Sequence, residues 1–149
     1  MSGSGSYGDR DTRRRERNLQ LEQMSDAAFA AEVRAHQQAQ WRRPSLEQHA
    51  HKHRLDYLEF FGHVIEPEEL DELSRATLLS FERLFTGLEP NRDVIYIFVS
   101  RLSTGDDILI VVSREGRIRT VIPMETVELW WQRHPEIVEV TTRAKGLGF

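Results

Sequence analysis

The sequence predicts an α+β fold, with N-terminal helices packed on one face of a four-stranded, mainly antiparallel sheet. Three observations carry this expectation. Helical spacing of apolar residues runs through the first half of the chain and stops at Gly87. After Pro90-Asn91 the pattern changes to β-branched runs, VIYIFVS at 94–100 and ILIVVS at 108–113. Short turns join these runs, so neighbouring strands must be antiparallel, and helices followed by a meander give α+β.

Residues 1–17 are rich in Gly and Ser and then in Arg (DRDTRRRER), and are expected to be a disordered leader. Residues 18–45 read as a helical extension or linker. Ser25 is a good N-cap, and Phe29, Val33, Ala35 and Trp41 form a thin apolar stripe that needs something to dock on. Pro44 disfavours helix before it, and Ser45 with Gln48 reads as a capping box that opens the next helix. The α+β domain is therefore expected over 46–149.

That next helix, Leu46 to Phe61, carries His49, His51, Lys52 and His53, and Gly62 is its C-cap candidate. Pro67 opens a further helix, with Glu68 and Glu69 in the first turn and an apolar face from Leu70 to Phe85. Arg114-Glu115-Gly116 makes a tight turn into a third strand, Arg117–Ile122. Thr126–Arg133 is a short helix bearing Trp130 and Trp131, 137–142 a fourth strand, and 143–149 a frayed tail.

Composition excludes several classes. With no cysteine among 149 residues there is no disulfide, thiolate zinc site or cysteine nucleophile. The net charge of −4 removes long-range steering toward nucleic acid, although the first 45 residues carry 8 Lys+Arg against 6 Asp+Glu. No apolar run reaches the roughly 20 residues that span a bilayer. The lack of cysteine suits the cytosol and equally a chain that unfolds to cross a membrane, and the expected site of action is the cytoplasm of the producing cell or of a target cell.

His49 and His53 stand four residues apart, so on a helix they share a face beside the apolar stripe of Leu46, Ala50, Tyr57 and Phe61. A partly desolvated histidine there suits proton transfer near neutral pH, and equally suits a packed ring hydrogen-bonded to backbone. On the third strand, alternation puts Arg117 and Arg119 on one face and Ile118 and Thr120 on the other, and two guanidinium groups there form a plausible phosphate site.

HAHKH at 49–53, an acidic helix, an apolar hairpin and EGRIRT at 115–120 together resemble the toxin nucleases of the barnase–EndoU–colicin–RelE type, found as C-terminal domains of bacterial polymorphic and contact-dependent toxins. His49, Lys52 and His53 match that family's helix motif, and Gly116, Ile118, Arg119 and Thr120 match its strand motif, over residues 46–142. The resemblance implies a ribonuclease that needs no metal or cofactor, with RNA (tRNA among the candidates) as substrate and a cognate immunity protein as partner. It implies His53 as base or acid, His49 as its partner, Arg119 on the phosphate and Thr120 as a hydrogen-bond donor. Lys52, Arg117, Trp130 and Trp131 are the expected contacts for RNA backbone and unpaired bases. Arg119 and Thr120 are adjacent, so both reach one phosphate only at a bulge or an edge. The main rival is a non-enzymatic α+β binding module of phage, mobile-element or immunity type that holds a partner through its N-terminal helix. A metal site is a weaker rival, because the pair at 49 and 53 supplies only two ligands.

Overall fold

The computed structural model describes the backbone of residues 2–113 and 115–149, and side chains from residue 8 onward except Arg114. The helices are α1 (Ser2–Gln23), α2 (Asp26–Gln37), α3 (Arg43–Lys52), α4 (Arg54–Phe61) and α5 (Pro67–Leu79), then α6 (Val127–Gln132) and α7 (Thr141–Gly146). The strands are β1 (Arg83–Leu88), β2 (Val94–Arg101), β3 (Asp107–Ser113), β4 (Ile118–Met124) and β5 (Val138–Glu139). They form one antiparallel sheet in the order β4-β3-β2-β1-β5. The fold class is therefore the expected α+β, with five strands in place of four.

The extra strand is β1, which the sequence presents as the end of the preceding helix. Both of its faces are covered: Leu84 joins the core under the helices, and Phe85 joins a second core on the opposite face. A strand buried on both sides shows a continuous apolar run, and periodicity alone cannot separate that from a buried helix. Helix α5 ends instead at Leu79, with Ser80 as its C-cap.

The larger core lies between the sheet and α2–α5. Phe29, Val33, Leu46, Tyr57, Leu70 and Leu78 meet Tyr96, Phe98, Ile110 and Val121 there. Leu21 of α1 belongs to the same cluster as Phe29, Val33 and Ala39, so this N-terminal stretch packs into the core of the α+β unit. The smaller core, on the other face, joins Phe85, Ile97, Val99 and Leu109 to Val127 and Ile137.

Residues 2–17 of the leader read as disordered are helical, as part of α1. Its arginines have partners that sequence could not show. Arg17 is 1 % exposed and reaches Thr86 Oγ1 (3.0 Å from Nη2), the Tyr96 hydroxyl (3.2 Å) and the Glu32 carboxylate. Arg13 donates to Leu88 O at 2.8 Å and to Asp9 at 2.8 Å. A buried guanidinium costs several kcal/mol unless its donors are met, and here they are met by groups on α2, β1 and β2. At the other end α7 replaces the expected frayed tail, with Arg143 donating to Leu21 O (2.7 Å) and Met24 O (2.6 Å).

Ser25 caps α2 by accepting from Ala28 N at 3.1 Å, and Gly62 closes α4 at φ 76. Ser45 does not cap: α3 starts one turn earlier, with Arg42 as N-cap and Pro44 in the first turn. The histidine helix is also two helices, because His53 (φ −104, ψ 17) interrupts it.

Candidate active site

Strand β4 is an edge of the sheet, and an unpaired edge needs cover. Gln40 forms an isolated parallel bridge with Arg117, donating to Gly116 O and accepting from Ile118 N, each at 3.0 Å. Further along, the Tyr57 hydroxyl donates to Val121 O at 3.1 Å. His49 Nε2 lies 3.3 Å from Val121 N and 3.2 Å from Val121 O. Nε2 meets the Val121 peptide as acceptor of its N–H in one tautomer and as donor to its carbonyl, beside Tyr57, in the other. Burial holds the His49 pKa below its usual value, and the nearby His53 and Lys52 act in the same direction. His49 is thus the packed, backbone-bonded histidine of the two readings the sequence allowed.

His53 lies beside it, ring centroids 4.6 Å apart and tilted by 50°, and donates from Nδ1 to Asp56 at 3.2 Å. His51 and Lys52 are exposed, and His51 Nδ1 accepts from Arg54 at 3.4 Å. The first motif therefore lies in the helix layer itself, with His49 against the outer edge of β4.

The second motif behaves differently. Val112 pairs with Ile118 and Val111 with Thr120, which leaves Arg119 as an extra residue in a β-bulge. The bulge overturns the expected alternation. Ile118 and Val121 both enter the larger core, while Thr120 and Ile122 turn to the opposite face. Arg117 lies just outside the strand and is exposed. Arg119 is also exposed and is ion-paired with Glu89.

On that opposite face Arg119 and Thr120 line a cleft of about 310 Å³ together with Trp130, His134 and Glu136. Helix α6 builds its far wall. Thr126 caps the helix by accepting from Glu128 N at 3.3 Å, and the helix stops before Pro135. His134 Nδ1 donates to Trp130 O at 2.7 Å, one turn back, and the two rings stack at 4.3 Å and 21°. That bond assigns the proton to Nδ1, so in the neutral ring Nε2 carries the free lone pair. Glu136 is 8 % exposed, and its Oε1 has no hydrogen-bond partner. The nearest cation to Oε1 is Arg10 Nε on α1, at 3.9 Å. A buried carboxylate oxygen without a hydrogen bond is uncommon, and Glu136 carries one at the margin of this cleft.

Trp131 is structural: its Nε1 donates to Ile137 O at 2.9 Å and its ring meets Phe85 edge-on at 5.1 Å. Of the eight expected site residues, the cleft brings together Arg119, Thr120 and Trp130. His49, Lys52, His53, Arg117 and Trp131 lie elsewhere. The sequence reading missed His134 and Glu136. The available signal was a histidine one turn after Trp130 at a helix end, followed by proline, where a ring bonded to the helix carbonyl is favourable. Glu136 offered no signal, because its burial depends on Ile137 and β1.

No group of three or more His, Asp or Glu among the described residues could hold a metal ion. No described helix is long and apolar enough to cross a membrane. No protein-family model matches this chain, and no curated protein or solved structure matches it.

Proposed function

We propose that the chain is a metal-independent endoribonuclease whose chemistry takes place in the cleft beneath the Arg119 bulge. The observation that carries this reading is the bulge itself, which sets Arg119 and Thr120 in one cleft with His134 and Glu136. The strand motif of the barnase–EndoU–colicin–RelE nucleases supports it, and the helix histidines become packing and positioning groups.

In this reaction the ribose 2′-oxygen attacks the adjacent phosphorus as the bond from phosphorus to the 5′-oxygen breaks. The products are a cyclic phosphate and a free 5′-hydroxyl. One group accepts the 2′ proton and another protonates the departing oxygen. Glu136 and His134 Nε2 divide these roles, each contributing on the order of a hundred- to ten-thousandfold. The Arg119 guanidinium and the Thr120 hydroxyl stabilise charge on the phosphorane oxygens. Glu89 holds Arg119 in the free protein and must give way to phosphate.

The binding-module reading has less support, because Leu21, Phe29 and Val33 of α1 and α2 are buried in the chain's own core. The deciding experiment compares purified wild type, His134→Ala, Arg119→Ala and His53→Ala on total RNA. Cleavage by wild type and His53→Ala, with loss in the other two, supports the proposal. Cleavage that survives His134→Ala but not His53→Ala returns the chemistry to the helix histidines.

A further inference from the structure

Arginine in this chain is mostly paired. Arg13, Arg14, Arg17, Arg43, Arg75, Arg83, Arg92 and Arg143 each have a carboxylate within ion-pair distance. Among the described residues, Arg34, Arg42, Arg54, Arg117 and Arg133 have no such ion pair, and two of these five, Arg42 and Arg117, stand together. Both are exposed, and both line a second cleft, of about 360 Å³, on the other side of the bulge. Arg119 lines this cleft too, so one residue borders both hollows, and its partner Glu89 lies on this side.

The backbone fixes this arrangement. Gln40 is bridged to Arg117, and two residues later Arg42 opens α3. Two arginines 75 positions apart are therefore held on one rim by main-chain hydrogen bonds at 3.0 Å. We propose that Arg42 and Arg117 form a second phosphate subsite, so that a single RNA strand crosses the edge of β4. One phosphate would sit with Arg119, Thr120 and His134, and a neighbouring one with Arg42 and Arg117. This rests on the ribonuclease reading and names its substrate as an unpaired strand of several nucleotides.

The same cleft holds Glu89, Asp93 and Glu115, so the formal charges of its described lining residues balance. Long-range attraction is therefore weak, and the subsite works through short, paired guanidinium–phosphate hydrogen bonds. The balance also favours one thin strand over a duplex, whose second backbone would meet those carboxylates.

The test uses the double variant Arg42→Ala/Arg117→Ala with two probes. The first is a fluorescein-labelled single-stranded deoxyoligonucleotide, which binds without being cut, followed by anisotropy across a salt series. The expected result is weaker binding, with a log–log salt slope shallower by about 0.7, the contribution of the one single-strand phosphate that the two arginines hold. The second compares cleavage of a ribodinucleotide with that of a longer oligoribonucleotide. The double variant should cut the dinucleotide at the wild-type rate and the longer strand more slowly. Unchanged deoxyoligonucleotide affinity and salt slope would overturn the subsite, even with His134-dependent cleavage intact. If the wild type cut no RNA but bound the probe through Arg42 and Arg117, the subsite would stand and the ribonuclease reading would fall. No binding of the probe by wild type overturns the subsite outright.

Discussion

His49 Nε2 sits 3.3 Å from the amide nitrogen of Val121 and covers a peptide at the open edge of β4. Tyr57 completes the cover by donating to Val121 O at 3.1 Å. The helix histidine and the edge strand therefore form one structural joint. His49→Ala removes a hydrogen-bond partner of the buried Val121 peptide, which costs roughly 1–3 kcal/mol. Urea denaturation should show that loss, while RNA cleavage per folded molecule stays at the wild-type level. A full loss of cleavage in a variant that still folds would return His49 to the chemistry.

The same burial makes stability depend on pH. Burial is the main cause that lowers the pKa of both His36 and His49 from the ordinary 6.5. The unfolded chain then binds protons that the folded chain refuses. Stability is complete above about pH 6.5 and falls as the pH drops from there toward the lowered folded values. His36 adds to this with a buried Nε2 that has no partner, so its charging in place is unfavourable. Urea midpoints between pH 7.5 and 5 should show this slope, and His49→Asn should make it shallower. A flat profile in the wild type would contradict the assignment.

Arg17 is the anchor of the N-terminal helix. Arg17→Met keeps most of the volume but leaves Glu32 without its guanidinium partner in a mostly buried place, a change that costs about 3 kcal/mol. The loss should appear as a lower urea midpoint and as faster amide exchange in α1 than in β2 and β3. Equal exchange in α1 before and after the substitution would show that Arg17 is not what holds it.

Gly87 reports on the link between sheet and cleft. A Cβ there would lie 2.5 Å from Ile137 Cδ1 and 3.5 Å from Glu136 O. The Ile137 side-chain end must move, and overpacking of this kind costs roughly 1–3 kcal/mol. Gly87→Ala should therefore lower stability through the displaced Ile137 side chain, while the Glu136 backbone, at an ordinary contact distance, stays in place and cleavage per folded molecule holds at the wild-type level. A loss of cleavage beyond the loss of folded protein would mean that the strain reaches Glu136.

Much of this protein is determined locally by its sequence. Ser25 and Gly62 mark helix ends through their own side chain or backbone freedom, and β-branched runs place β2 and β3. The α+β class follows from the order of the two periodicities. What only the tertiary structure decided depends on neighbours far along the chain. Strand β1 looks helical until both of its faces are seen to be covered, and α1 looks unstructured until Arg17 meets Thr86 and Tyr96. The site shows the same division. The tertiary structure supplies the bulge at Arg119, because strand alternation describes an unbroken ladder and an extra residue reverses every side chain beyond it. That single register shift separates Thr120 from the helix histidines and gives it His134 and Glu136 as neighbours.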